Sequence, residues 1–131
     1  MVSRETIESR LRQLNAAENS RPNATVEEVS AGVDKVMAPD VHGWRGGVHV
    51  PNRAAEREVE RAAFGALADY HRTFDILLFE PPYASLRWTI RGSFQGKEIV
   101  APGASFFKFN DDGLVAEYWM HIDPADFAYR S

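Results

Sequence analysis

The spacing of apolar residues divides the chain into a helical first half and a strand-rich second half. Up to Tyr70 the apolar positions repeat with the 3.6-residue period of an α-helix, and after it the period changes to two residues. The helical pattern predicts three helices, over 6–18, 25–38 and 52–69. The period-two pattern predicts four strands, over 71–79, 84–94, 97–109 and 114–122. Helices followed by an antiparallel meander predict an α+β fold.

Local signals refine these boundaries. Thr25 and Glu28 have the spacing of a capping box at the start of the second helix. The segment 40–51 is rich in turn-formers and polar rings, which makes it too irregular for a helix, so no regular element is predicted there. The third helix is expected to turn three apolar residues inward, Val59, Ala63 and Leu67.

Composition narrows the class of protein. The 131 residues suit one domain spanning 1–131, and 44% hydrophobic with 26% charged residues is ordinary for a globular chain. A net charge of -4, without a basic stripe, argues against nucleic-acid binding. No apolar run is long enough to span a membrane, and the chain has no cysteine. We therefore expect a cytoplasmic protein with no nucleic-acid or membrane partner, and neither a metal site nor a cofactor.

Alternation along the predicted strands assigns side chains to two faces of a sheet. The charge of Glu117 places it on the outer face of the last strand, and Trp119 and His121 share its parity. Exposed tryptophan favours an interface, so we expect a homodimer through Trp119 and His121. The inward residues are expected to line the core or a pocket: Leu86, Trp88, Ile90, Ser105, Phe107, Tyr118, Met120 and Ile122.

Several stretches resemble a known superfamily. The segment 92–119, with Phe107-Lys108-Phe109 before an Asp-Gly turn and Glu117-x-Trp119 after it, is similar to the nuclear transport factor 2-like superfamily. Its SnoaL-like polyketide cyclases and ketosteroid isomerases are the nearest likenesses. The resemblance implies a cystatin-like cone, in which N-terminal helices pack in the concave face of a curved antiparallel sheet around a deep apolar pocket. It also implies pairing of two subunits through the outer face.

The resemblance does not carry over the known catalytic groups. The isomerases' helix tyrosine corresponds to Arg10, and their inward strand acid corresponds to Ser105. The aspartate that works on the last strand of related hydrolases and cyclases corresponds to Met120. Steroid isomerisation by the family's route is therefore not expected.

Three other polar residues are the candidate catalytic groups. His42 is the candidate base, because it lies in the segment where relatives place theirs and imidazole titrates near neutral pH. Asp40 would orient His42, or cap the preceding helix instead. Tyr118 would donate a hydrogen bond to a carbonyl or enolate oxygen, or serve as a pocket wall. Trp44 joins the inward strand residues as a candidate substrate contact.

Two functions are consistent with the sequence. One is a cofactor-independent acid–base enzyme of SnoaL-like type (isomerase, cyclase, dehydratase or hydrolase) acting on a hydrophobic carbonyl compound. The other is a non-catalytic module that binds a ligand or dimerises.

Overall fold

A computed structural model describes residues 1–123 of the chain. Three helices lie against one side of a β-sheet. Helix α1 spans Arg4–Asn19 and is capped by the Ser3 side chain. A short 3-10 turn, Arg21–Asn23, leads to helix α2, Val26–Asp34, where the predicted capping box is present. Helix α3 spans Arg53–Ala63 and is shorter than its predicted range.

Six strands form one curved, open sheet. The strands are β1 (Met37–Arg45), β2 (Val48–Val50), β3 (Ala68–Glu80), β4 (Tyr83–Phe94), β5 (Lys97–Phe109) and β6 (Val115–Ile122). Their order across the sheet is β2-β1-β6-β5-β4-β3. The α+β class and the cone architecture are therefore confirmed, with the helices on the concave side.

The segment 40–51 was expected to be irregular, and that expectation is wrong. Its residues complete β1 and form β2, which pair as an antiparallel hairpin. β1 also pairs in parallel with β6, so the sheet is mixed rather than fully antiparallel. Parallel neighbours are not joined by a tight turn, so no local sequence signal announces this pairing.

The register of the remaining strands follows the predicted alternation. Tyr118 lies opposite Phe107, and Trp119 lies opposite Phe106, as the charge of Glu117 implied. The register shifts between Lys108 and Phe109, and the pairs from Glu117 to Ile122 beyond the shift keep one unbroken register.

A bulge in β3 changes which residues face the core. The register jumps between Phe74 and Ile76, leaving Asp75 as the extra residue. Asp75 accepts a hydrogen bond of 2.6 Å from the Thr89 hydroxyl. Before the bulge even-numbered residues face inward, and after it Leu77 does so while Ile76 is exposed. The bulge thus turns Leu77 and Phe79 toward the core and leaves Ile76 and Leu78 exposed on the outer face.

The main core lies between α1 and the middle of the sheet. Trp88 is its largest fully buried side chain, with 1% of its surface exposed. It packs with residues from α1 and four strands, including Ile7, Leu11, Val41, Leu86, Phe107, Phe109 and Val115.

Candidate functional site

Two adjoining cavities occupy the concave side of the sheet. The first, of about 50 Å³, lies between α2, α3 and the strands β1, β5 and β6. The second, of about 130 Å³, lies beside the 3-10 turn and β3. Four side chains line both cavities: Glu18, Arg45, Arg72 and Met120. Three of these four shared side chains are charged, so the candidate site combines charged groups with the apolar residues of the cavity walls.

A glycine on β1 allows Tyr118 to lie across that strand. Gly43 is the register partner of Tyr118, and a Cβ added to it would meet the Tyr118 ring at 2.4 Å. Arg45, two residues further on, shares the inward parity of Gly43, and its guanidinium lies 5.9 Å from the centre of the Tyr118 ring. The absence of a side chain at position 43 thus places a phenol and a guanidinium in the same cavity wall.

Helix α3 contributes two glutamates to the site. Glu56 and Glu60 are one helical turn apart and are 8% and 7% exposed, so the helix turns carboxylates toward the sheet. Val59, Ala63 and Leu67 were predicted to form this inward face, but Val59 and Ala63 are only partly buried and Leu67 lies beyond the helix.

The two glutamates of α3 have different partners. Glu60 accepts two hydrogen bonds from Arg21, at 3.0 and 2.8 Å, and Arg21 also contacts Glu18 at 2.5 Å. Glu56 forms an ion pair with Arg45 at 3.6 Å, which is too long for a strong hydrogen bond. Glu60 is fully engaged by protein groups, whereas Glu56 is not.

Arg72 is held on β3 by two asparagines of α1. The Asn19 amide exchanges hydrogen bonds with the Arg72 backbone, accepting at 2.7 Å and donating at 2.9 Å, as a neighbouring strand would. The Asn15 side chain accepts a hydrogen bond of 2.9 Å from Arg72 Nε. Helix α1 therefore fixes both the backbone of β3 at Arg72 and the guanidinium of Arg72.

Four buried polar atoms in the cavity walls have no hydrogen-bond partner among residues 1–123. They are Arg45 Nε, Glu56 Oε1, Arg72 Nη2 and the Tyr118 hydroxyl. Buried polar groups are nearly always paired, because leaving one unpaired costs about 1–3 kcal/mol. Several unpaired donors and one acceptor around a cavity are typical of a site that completes its hydrogen bonds with a ligand.

Burial and charge move the pKa values of two nearby glutamates in opposite directions. Burial raises the pKa of Glu56, and the positive charge of Arg45 only partly opposes this. For Glu18, burial alone would raise the pKa, but the charges of Arg21, Arg72 and Arg45 together outweigh it and hold the pKa below its ordinary value. Of the two, Glu18 more strongly favours its ionised form, and Glu56, with the raised pKa, is the stronger base.

Most of the expected pocket residues on the strands do face the concave side. Tyr118, Ser105 and Phe107 line the first cavity, Trp88, Ile90 and Ile122 line the second, and Met120 lines both. Leu86 is 4% exposed and belongs to the main core instead. The Ser105 hydroxyl accepts a hydrogen bond of 3.0 Å from the Trp88 indole, which fixes that ring.

The expected catalytic pair of His42 and Asp40 is placed away from these cavities. His42 is the register partner of Glu117 on the outer face, and its Nε2 lies 3.6 Å from the Glu117 carboxylate. Asp40 is exposed and lines neither cavity. The expectation that they reach the pocket is wrong, because Gly43 rather than His42 is the inward position of β1. A catalytic role for His42 stays a prediction and would have to act on the outer face.

Trp44 is also on the outer face rather than in the pocket. Its ring stacks on His49 at 4.7 Å and on Trp119 at 6.2 Å, measured between ring centroids. His49 is exposed and lies on the same face. These rings form part of the surface that was expected to pair two subunits.

Sequence reasoning missed Arg45, Arg72 and Glu56. A signal for Glu56 was present, since α3 carries one large apolar residue, Val59, and a helix packed on a sheet must then turn polar groups inward. A signal for Arg45 was its parity with Gly43, but using it required β1 to be predicted as a strand.

Comparison with known proteins places this architecture in a family. A SnoaL-like domain model matches residues 13–118. The chain belongs to the SnoaL-like domain family. No curated protein matches the chain.

Solved structures share the fold at low sequence identity. AclR of Streptomyces galilaeus, provisionally described as a hydroxylase, is 20% identical with a TM-score of 0.78, over 98% of this chain and 96% of AclR. A provisional SnoaL-like polyketide cyclase of Jannaschia sp. CCS1 is 13% identical with a TM-score of 0.76, over 97% and 93%. A protein of unknown function with a cystatin-like fold, from Methylobium petroleophilum PM1, is 21% identical with a TM-score of 0.72, over 92% and 78%.

These solved structures, all under 25% identical, show that the chain has the cystatin-like fold. The described helices include none long and apolar enough to cross a membrane. Residues 1–123 also contain no cluster of three or more histidine or acidic side chains arranged to hold a metal ion.

Proposed function

We propose that this SnoaL-like protein catalyses cofactor-independent acid–base chemistry on a small carbonyl compound bound in the two cavities. One observation supports the proposal above others: the Tyr118 hydroxyl and Glu56 Oε1 line the same cavity, are buried, and have no partner among residues 1–123. A hydroxyl donor and a carboxylate base are the two groups that proton removal beside a carbonyl requires. Isomerisation, cyclisation, dehydration and hydrolysis can all start from such a pair.

The proposed step uses Glu56 as the base. Its carboxylate takes a proton from the carbon next to the carbonyl, and the C–H electron pair moves toward the carbonyl oxygen to give an enolate. Tyr118 donates its O–H to that oxygen as negative charge develops there. When the substrate has a β,γ double bond the enolate is a dienolate, and return of the proton to its γ carbon completes an isomerisation and regenerates the carboxylate. Because burial raises the pKa of Glu56, it is a stronger base than an exposed glutamate.

This proposal keeps Tyr118 from the sequence-based prediction and replaces His42 with Glu56. The reason is geometric, since Tyr118 and Glu56 line one cavity and His42 is on the other side of the sheet. The hydrophobic substrate expected from the sequence becomes one with an apolar body and polar ends.

Hydrogen–deuterium exchange tests the proposal without knowledge of the natural substrate. With 2-pentanone in D₂O, we expect the protein to accelerate deuterium uptake at the carbons beside the carbonyl, as measured by NMR. Glu56→Gln and Tyr118→Phe should each reduce the acceleration by about 100- to 10,000-fold, the usual contribution of one acid–base group. Gln13→Glu, a partly buried α1 position outside both cavities, is the matched control and should exchange like the parent. Equal acceleration by parent and Glu56→Gln would remove Glu56 from the mechanism.

A second proposal concerns the outer face, where two copies would pair. On that face, mostly apolar and aromatic side chains form a row that crosses neighbouring strands. Leu78 and Phe106 belong to this row and are 63% and 48% exposed. Trp119 is the register partner of Phe106 and of Trp44 in this row. An exposed aromatic row across several strands favours association over a solvated surface.

Light scattering tests this pairing. Trp119→Arg should halve the molar mass in solution, because it buries a charge in the centre of the interface. Gln95→Arg adds the same charge at the exposed tip of the β4–β5 hairpin and should leave the mass unchanged. A parent protein of monomer mass would contradict the proposed pairing.

A further inference from the structure

The larger cavity carries more positive than negative charge. Three arginines line it, Arg21, Arg45 and Arg72, together with one acid, Glu18. Arg21 is already committed, because it contacts Glu18 at 2.5 Å and forms two hydrogen bonds with Glu60. Arg45 and Arg72 are therefore the cations available to a ligand.

Arg72 has donor capacity that the protein leaves unused. Its Nε donates to the neutral amide of Asn15, and its Nη2 is buried without a hydrogen-bond partner among residues 1–123. The charge acts on Glu18 through space and lowers the pKa of that carboxyl, after burial has raised it. A guanidinium held in place by a neutral side chain is prepared to accept an anion.

Arg45 on β1 also has unused donor capacity. Its nearest carboxylate is that of Glu56 at 3.6 Å, and its Nη1 contacts the weak acceptor Met120 Sδ at 3.9 Å. Arg45 Nε is buried and has no partner among residues 1–123. Both arginines line both cavities, so a group between them would lie where the cavities meet.

We propose that Arg45 and Arg72 bind a carboxylate group of the substrate where the two cavities meet. The planar guanidinium matches a carboxylate through paired N–H donors, and the two unused donors are what such a ligand would complete. The inference deepens the proposed function and rests on it in one respect, that the carbonyl of the same molecule reaches Tyr118 and Glu56.

The surroundings favour one negative charge on an apolar body. Trp88, Ile90 and Ile122 line the larger cavity beside the arginines and provide carbon surface for the rest of the ligand. Glu18, held ionised in the shared wall, would repel a second negative charge. A singly charged oxo acid therefore fits better than a phosphate dianion.

Isothermal titration calorimetry with three small compounds tests the inference. 4-Oxopentanoate carries a carboxylate and a carbonyl, its methyl ester has the same carbon chain without the charge, and inorganic phosphate has charge without a carbon body. We expect the parent protein to bind 4-oxopentanoate about tenfold to a hundredfold more tightly than the ester, the range for a hydrogen bond to a charged group. Phosphate should bind no better than the ester.

Substitutions of single arginines test which guanidinium groups bind the carboxylate. Arg72→Gln and Arg45→Gln should each lose about tenfold to a hundredfold in affinity for 4-oxopentanoate and change little toward the ester. Arg87→Gln, an exposed arginine on β4 that lines neither cavity, is the matched control and should bind like the parent. If the cavity variants do not fold, the comparison of acid and ester on the parent protein still decides the question.

The outcomes separate this inference from the proposed function. Equal affinity for acid and ester, tight phosphate binding, or no binding of 4-oxopentanoate would overturn the carboxylate site, even if deuterium exchange of 2-pentanone is accelerated. Selective binding of 4-oxopentanoate without any accelerated exchange would support the carboxylate site and contradict the acid–base mechanism.

Discussion

Each face of the sheet carries one group of side chains that proteins usually place on the other side. The concave side, partly shielded by three helices, holds buried charges including Arg21, Glu18 and Glu60. The convex side, open to solvent, carries a stacked aromatic row around Trp44 and Trp119. Charge is normally placed outside because its burial costs several kcal/mol unless it is paired. Charged groups gathered inside around unpaired donors therefore indicate a site, and aromatics gathered outside indicate an interface.

One tryptophan on each face, Trp88 on the concave side and Trp119 on the convex side, provides the test with the largest expected change in stability. Trp88 is 1% exposed and hydrogen-bonded to Ser105, so Trp88→Ala should lower the free energy of unfolding by about 3–5 kcal/mol. Trp119 is only partly buried in one subunit, so Trp119→Ala should cost about 1 kcal/mol or less in the monomer.

Urea unfolding at low protein concentration measures both changes while limiting any contribution from association. A loss for Trp119→Ala as large as that for Trp88→Ala would mean that the outer row is part of the folding core. The contrast between core and interface would then be wrong.

The strand ranges in the second half of the chain, and the side of the sheet on which their side chains lie, were largely predictable because local sequence patterns determine them. The hairpin at Gln95-Gly96 and the range of β5 follow from turn residues and alternation, and both are observed. The inward parity of Tyr118 followed from the charge of one neighbour, Glu117. These features depend on residues close together in sequence.

The candidate site was not predictable in the same way. Arg45 became an inward residue only through the parallel pairing of β1 with β6, which joins segments about 75 residues apart. Glu56 lies beside Arg45 on the concave side, and its one local signal is the shortage of large apolar residues in α3. The ion pair joins separate segments of the chain, so local patterns alone do not predict the network.

Two of the buried glutamates, Glu56 and Glu18, provide a test with an expected effect of intermediate size, through the pH dependence of stability. The pKa of Glu56 is raised in the folded protein. Its contribution to the free energy of unfolding is therefore fully present below its pKa in the unfolded chain, about 4.5, and is lost as pH rises through the pKa in the folded protein. Glu56→Gln should therefore be more stable than the parent at pH 7, with the gain disappearing below about pH 4.5. Glu18 has a lowered pKa, so its contribution is present above about 4.5 and is lost as pH falls through the folded value.

Glu18→Gln should accordingly be less stable than the parent at pH 7, by about 1–3 kcal/mol for the lost charged hydrogen bond to Arg21. Its difference from the parent should shrink toward acid pH, opposite to the trend for Glu56→Gln. Chemical unfolding at several pH values measures both slopes. If both variants lose stability at pH 7, Glu56 is a structural ion-pair partner of Arg45 and not a poised base.

The smallest expected effect concerns His42, which the sequence favoured as the base. Its ion pair with Glu117 is partly exposed, with 37% of the His42 side chain and 24% of the Glu117 side chain accessible. Such pairs contribute about 0–1 kcal/mol, so His42→Ala should change the free energy of unfolding by no more than that. The deuterium exchange rate of 2-pentanone should stay within about twofold of the parent, since an acid–base group contributes a hundredfold or more. A hundredfold fall with unchanged stability would return His42 to the mechanism and move the chemistry to the convex face, because a residue beyond the sheet cannot act on a ligand held between Arg45 and Arg72.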